Sequence, residues 1–102
     1  MEKVYTTNEL IEILSPIFDT NLVERAILFG SYARGNPAFA SDVDILIDSK
    51  GKLKGIDFFG VLDEITETLR TQVDLFEASQ LVDGGRVQRE IADSGIVIYE
   101  RA

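Results

Sequence analysis

Residues 42–48 read Asp-Val-Asp-Ile-Leu-Ile-Asp, and no other stretch of the chain restricts its fold as much. Apolar β-branched residues alternating with acids over seven positions predict a strand. In a strand, residues two apart point to the same face, so Asp42 and Asp44 project together while Val43 and Ile45 project the other way. One face must therefore pack on a core, and the other carries two like charges side by side. Either a cation or free solvent has to relieve that repulsion. Asp48 shares the alternation but lies too far along the strand to join the pair.

The flanking segments predict what this strand sits among. Thr6-Thr7-Asn8-Glu9 resembles a helix start ahead of Leu10, Ile11, Ile13 and Leu14. Ser15-Pro16 is expected to interrupt that helix or to begin a short second one, because Pro suits a first helical position. Arg25–Gly30 is a short apolar run ending in Gly, the pattern of a strand covered on both faces. Tyr32 to Arg34 suits a helical turn before a loop at Gly35-Asn36-Pro37. Lys50 to Gly55, with two glycines and three lysines, reads as a loop. Ile56 to Arg70 is predicted as an amphipathic helix with Phe58, Leu62, Ile65 and Leu69 on one face. Gln72–Ala78 is a third strand, Gly84-Gly85 a break, Arg86 to Ala92 a helix and Ile96–Glu100 a fourth strand. Strands alternating with helices around a small mixed sheet make the fold α+β, close to α/β. At 102 residues the chain is expected to form one domain with a modest core.

Composition narrows the chemistry. The formal charge is −8, from 10 Lys and Arg against 18 Asp and Glu, which leaves no basic footprint for nonspecific grip on a nucleic acid. A nucleoside triphosphate could still bind if a divalent metal supplied the missing positive charge. Cysteine and histidine are both absent, which excludes disulfides, thiolate or imidazole metal sites and every His-based acid or base. A bound metal must then be held by oxygen, which favours Mg²⁺, Mn²⁺ or Ca²⁺. No signal peptide or run of about 18 apolar residues is visible, so no membrane association is expected and the reading is cytoplasmic.

A third acid completes a candidate site. Asp74 lies in the third predicted strand between Val73 and Leu75, which point away from it. If the second and third strands are neighbours, Asp42, Asp44 and Asp74 converge on one patch. Three acids with no basic partner in the motif serve poorly as a structural device and well as a divalent-metal site. Two Mg²⁺ ions roughly 3.5–4 Å apart can clamp the attacking and leaving oxygens of an in-line phosphoryl displacement. Gly30-Ser31 supplies the other half: Gly at a strand end allows close backbone approach, and Ser can cap the turn that follows. Backbone N–H groups there would face a phosphate. Arg34, one helical turn on, suits phosphate contact or a structural ion pair equally. Lys50, Lys52 and Lys54 read as a solvated loop, Arg86 and Arg89 as an exposed helix face, and Phe58 and Phe59 as core.

Gly-Ser-Tyr-Ala-Arg-Gly, then Ser-Asp-Val-Asp-Ile-Leu-Ile, then Val-Asp-Leu-Phe, resembles the DNA polymerase β-like nucleotidyltransferase superfamily, and within it the minimal nucleotidyltransferases. The motif positions are Gly30, Ser31, Asp42, Asp44 and Asp74, and Ala33-Arg34-Gly35 also fits the minimal group. The resemblance is good over roughly 23–76 and loose elsewhere. It implies a mixed-sheet nucleotidyltransferase fold, Mg²⁺, and transfer of AMP from ATP to a hydroxyl. Many minimal members are encoded beside a HEPN-domain protein and act as antitoxins, and such members can adenylylate a tyrosine of that HEPN toxin. No additional domain to hold an acceptor is expected, so an acceptor pocket is expected to come from a partner or from self-association into a homo-oligomer. Two further readings stand beside this one: a binding module that neutralises its partner by covering it, and an enzyme acting on a small-molecule hydroxyl.

Overall fold

The computed structural model describes residues 4–35 and 42–101. In chain order the elements are α1 (Thr7–Thr20), β1 (Arg25–Phe29), β2 (Val43–Asp48), α2 (Ile56–Leu69), β3 (Val73–Glu77), a single 3₁₀ turn (Ala78–Gln80), α3 (Arg86–Ser94) and β4 (Ile96–Glu100). The four strands form one sheet in the order β3-β2-β1-β4. β1 is antiparallel to both β2 and β4, whereas β2 and β3 run parallel, joined by the crossover through α2. This is the small mixed α+β sheet expected from the sequence. The expected loop at Gly35-Asn36-Pro37 lies, beyond Gly35, outside the described residues.

A reciprocal capping box begins α1. The Glu9 amide donates to the Thr6 hydroxyl at 3.0 Å, and the Thr6 amide donates to the Glu9 carboxylate at 2.9 Å. The break expected at Ser15-Pro16 does not occur, and α1 runs unbroken through Pro16. Pro16 lies on the exposed side, while Ile17 and Phe18 just beyond it are buried in the core. A mid-helix Pro costs about 3 kcal/mol, and burying those two side chains returns about 1.5–3 kcal/mol each. Packing wins.

The core lies on one face of the sheet. Ala26, Leu28, Val43, Ile45, Ile47, Val73, Leu75 and Ile98 meet Leu10, Leu14 and Phe18 of α1 and Val61, Ile65 and Leu69 of α2. On α2 the buried stripe is Val61, Ile65 and Leu69, with Phe58 and Leu62 partly buried at its margins. Phe59 was expected in the core and is instead 65% exposed. It precedes Val61 by two residues, about 200° around the helix, so both cannot face the sheet. The opposite face carries Ile27, Phe29, Asp44, Leu46, Asp74 and Phe76, with α3 packed against β1. That cover is incomplete: Phe29 is buried, Ile27 is only partly so and Arg25 is exposed, so β1 is not covered throughout both faces.

One buried acid stabilises the far end of β2 and β3. The Glu77 carboxylate accepts from the amide and hydroxyl of Ser49 at 2.8 and 2.6 Å, and from those of Ser79 at 2.7 and 2.5 Å. Burial pushes its pKa up, but these four donors outweigh it and hold the carboxyl at about 2. The Ser49 hydroxyl in turn accepts from the Leu53 amide at 3.0 Å, tying down the lysine loop through buried Leu53. Among the described residues no helix is long and apolar enough to cross a membrane.

Candidate active site

Strand register decides whether the acids meet. In the parallel β2–β3 pair, Val43 lies opposite Val73 and Asp44 opposite Asp74. The Val43 amide donates to the Gln72 carbonyl at 3.0 Å, which locks that register at its start. Asp42 immediately precedes β2. The Asp74 carboxyl lies within hydrogen-bonding reach of both Asp42 and Asp44, so the three predicted acids do come together. All three are half-buried. Behind them the rings of Phe29 and Phe76 pack 5.8 Å apart, giving the patch an apolar floor.

Crowding perturbs these carboxyls in one direction. Partial burial, the charge of Asp74 and a hydrogen bond to it push Asp44 up to about 6, with smaller contributions from Asp42 and Glu90. Partial desolvation and the same Asp74 raise Asp42. A protonated Asp44 donates to Asp74 and so removes one of the charges. Near neutral pH that proton is mostly gone, and a cation or the solvent has to do the same work. Among the described residues no three acidic side chains already stand as a metal cage. The donor set is oxygen only, acidic and crowded, and it fits a hard divalent cation such as Mg²⁺.

β1 delivers Gly30 beside Asp44, because Phe29 pairs with Asp44 across the β1–β2 ladder. Gly30 adopts φ +77°, a left-handed conformation that side chains rarely adopt, and a Cβ there would run into the Asp44 carboxylate. Any other residue would be strained there and would have to displace the Asp44 carboxylate. The chain then turns back over the acids, with Arg34 N–H donating to the Gly30 carbonyl at 3.1 Å and Gly35 N–H to the Tyr32 carbonyl at 3.2 Å. Buried Tyr32 anchors this turn. It closes through backbone groups rather than through the expected Ser31 side-chain cap, and Ser31 lies half-exposed.

Arg34 sits in an ion pair. Its guanidinium is 3.8 Å from Glu90 of α3, and the same carboxylate is 2.6 Å from Arg86. Glu90 adds to the negative field at Asp44, making it a fourth acid at the rim. Sequence reasoning missed Glu90, since nothing in Arg-Val-Gln-Arg-Glu marks it off from any charged helix. The lysines fall as expected: Lys50 is 4.0 Å from Asp48 and mostly solvated, and Lys52 and Lys54 are exposed. Asp48 accepts from the Lys50 amide at the opposite end of β2. Arg89 is exposed and donates to the Gly84 carbonyl.

The chain is similar to several known proteins. Residues 8–102 match the family described as polymerase beta, nucleotidyltransferase. Two Methanocaldococcus jannaschii proteins, each named "putative protein adenylyltransferase", are similar. One is 35% identical over 67% of this chain and 73% of its own length, the other 29% identical over 78% and 96%. Among solved structures, a toxin–antitoxin with AMP-PNP superposes with a TM-score of 0.77 at 19% identity, over 89% of this chain and 73% of that one. A structure described as a "putative minimal nucleotidyltransferase" superposes at 0.73 and 21% identity, over 90% and 95%. A complex of tri-AMPylated Shewanella oneidensis HEPN toxin with MNT antitoxin superposes at 0.64 and 19% identity, over 93% and 70%. Because the family matches residues 8–102, nearly the whole chain, the chain belongs to the polymerase β nucleotidyltransferases.

Proposed function

We propose that this protein transfers AMP from ATP to a hydroxyl, with Mg²⁺, and that the acceptor is a tyrosine of a HEPN-type partner which the modification disarms. The observation that carries the chemistry is the in-register pair Asp44 and Asp74, with Asp42 beside it and the Gly30 turn above. Support for AMP and for a protein acceptor comes from the relatives: the adenylyltransferase names, the structure with AMP-PNP, and the tri-AMPylated HEPN toxin in complex with its antitoxin.

In this reading Asp42, Asp44 and Asp74 are the catalytic, metal-holding residues. When bound there, Mg²⁺ supplies positive charge that offsets carboxylate–phosphate repulsion and stabilises the charge developing at phosphorus. Backbone N–H groups of the Gly30-Ser31 turn cradle the outer phosphates. Arg34 exchanges its Glu90 contact for a phosphate oxygen, leaving Glu90 to Arg86. The acceptor oxygen attacks the α-phosphorus in line, the α–β bridging bond breaks and pyrophosphate leaves. The hydroxyl proton passes to a carboxylate of the acid group. Alignment of acceptor and phosphorus supplies much of the rate, and a docked protein provides it through a wide interface.

The test is incubation with Mg²⁺, each nucleoside triphosphate in turn, and the protein encoded beside this chain, followed by intact-mass measurement. A partner gaining AMP on tyrosine, from ATP only, is the expected result. A partner neutralised in a stable complex yet unmodified, with Asp44→Asn equally protective, would replace this reading by neutralisation through binding alone.

A further inference from the structure

The outer face of α2 has features that the fold itself does not require. Ile56 is 89% exposed and Phe59 65% exposed, and Leu22 beside them is 52% exposed. Ile56, Phe59, Gly60 and Asp63 follow the spacing of one helix face. Ile56 and Gly60 line two adjoining grooves of about 570 and 510 Å³, with Phe59 and Asp63 on the first and Leu22 on the second. Gly60 sits inside the helix, where Gly destabilises relative to Ala. A Cβ built there meets nothing within 4 Å. Among the described residues nothing therefore calls for Gly at 60. What it provides is a flat step between two exposed apolar side chains, low enough for another backbone to approach.

We propose that this face docks an amphipathic helix of the acceptor protein, with Lys or Arg flanking its apolar stripe. Ridge-into-groove packing along a helix suits a helical occupant. Charge selects its rim: Asp57 and Asp63 edge the grooves, and the chain carries −8 overall. A second copy would set those acids against each other, so the occupant is a basic partner and not this chain. Because Val61, Ile65 and Leu69 of the same helix pack on the core face of the sheet, the docking face lies on the side away from Asp44 and Asp74. A partner anchored there leaves the triphosphate site open, and a separate part of the same partner has to carry the hydroxyl round to it. This rests on the reading above that the acceptor is a protein.

The experiment compares wild type, Phe59→Glu, Gly60→Trp and Gly60→Ala against the protein encoded beside this chain, by calorimetry for binding and by intact mass for AMP. The expected result is that Phe59→Glu and Gly60→Trp weaken binding at least about tenfold and lose AMP transfer in proportion. ATP binding should be unchanged in both. Gly60→Ala should raise the melting midpoint of the free chain, and wild-type affinity should fall with added salt. Transfer by wild type with undiminished binding by both blocking variants overturns the docking face alone. Binding lost in those variants with no transfer by wild type overturns the transfer reading alone. No binding and no transfer by wild type overturns both. A chain that dimerises by itself, with Phe59→Glu monomeric, overturns the assignment of a basic partner.

Discussion

Asp44 carries opposed demands: it closes a crowded acid patch, and that patch destabilises the protein whenever it is fully charged. Its folded pKa of about 6 lies above the ordinary 3.8. The folded state therefore holds the proton more tightly, and the associated stability is present below about 3.8 and lost as pH rises through about 6. Such a shift corresponds to about 3 kcal/mol, which partial exposure screens to about 1 kcal/mol. Asp44→Asn is expected to raise the stability of the metal-free chain by about that amount at pH 7–8 and to change little near pH 4. AMP transfer should fall by orders of magnitude. Denaturant titrations at the two pH values check the sign, and an unfolded Asp44→Asn would make the acid structural. Glu77 shows the opposite sign. Held at about 2 against an ordinary 4.5, it stabilises the protein above 4.5 and loses that contribution as pH falls through about 2. Glu77→Gln leaves buried serine donors without a charged acceptor and should cost about 3 kcal/mol at pH 7, with the difference from wild type shrinking in acid. If Glu77→Gln melts like wild type at pH 7, the four-donor clamp contributes nothing.

Among the elements, the β1 exit and the β2–β3 ladder carry the site. Gly30→Ala forces a side chain into a left-handed conformation, costing about 1–2 kcal/mol, and pushes on the Asp44 carboxylate. ATP affinity and transfer should both drop while the circular dichroism spectrum stays folded. Wild-type activity in Gly30→Ala would sink the close approach drawn here. Asp74→Asn should behave as Asp44→Asn does, because the two face each other across one parallel register. Much at this scale was visible beforehand. Period-two alternation marked β2, and the capping residues marked α1, because both signals are local. Pro16 misled because helix continuity was decided by Ile17 and Phe18 packing beyond it. Phe59 misled because an apolar residue on a helix says nothing about which side of it faces solvent.

For the whole molecule, net charge of −8 and an oxygen-only donor set set the expectation for ligand binding. ATP affinity should require Mg²⁺ or Mn²⁺ and vanish with EDTA, since carboxylate–phosphate repulsion in a partly buried site reaches several kcal/mol per close pair. Equal calorimetric affinity with and without the divalent ion would remove metal from the mechanism. By itself the sequence determined the strands and helices, the acid pair on one strand face, and the glycine and serine that precede it. It also excluded histidine and cysteine chemistry. Each of these follows from residue identity or from spacing within a few positions. Tertiary structure alone decided that β2 and β3 are parallel neighbours, which sets Asp74 opposite Asp44. It also decided that Glu90 of α3 holds Arg34 and that Ser49 meets Glu77. These contacts join segments 28–56 residues apart, and their partners are chosen by strand order and by packing on a shared core, which no local periodicity encodes.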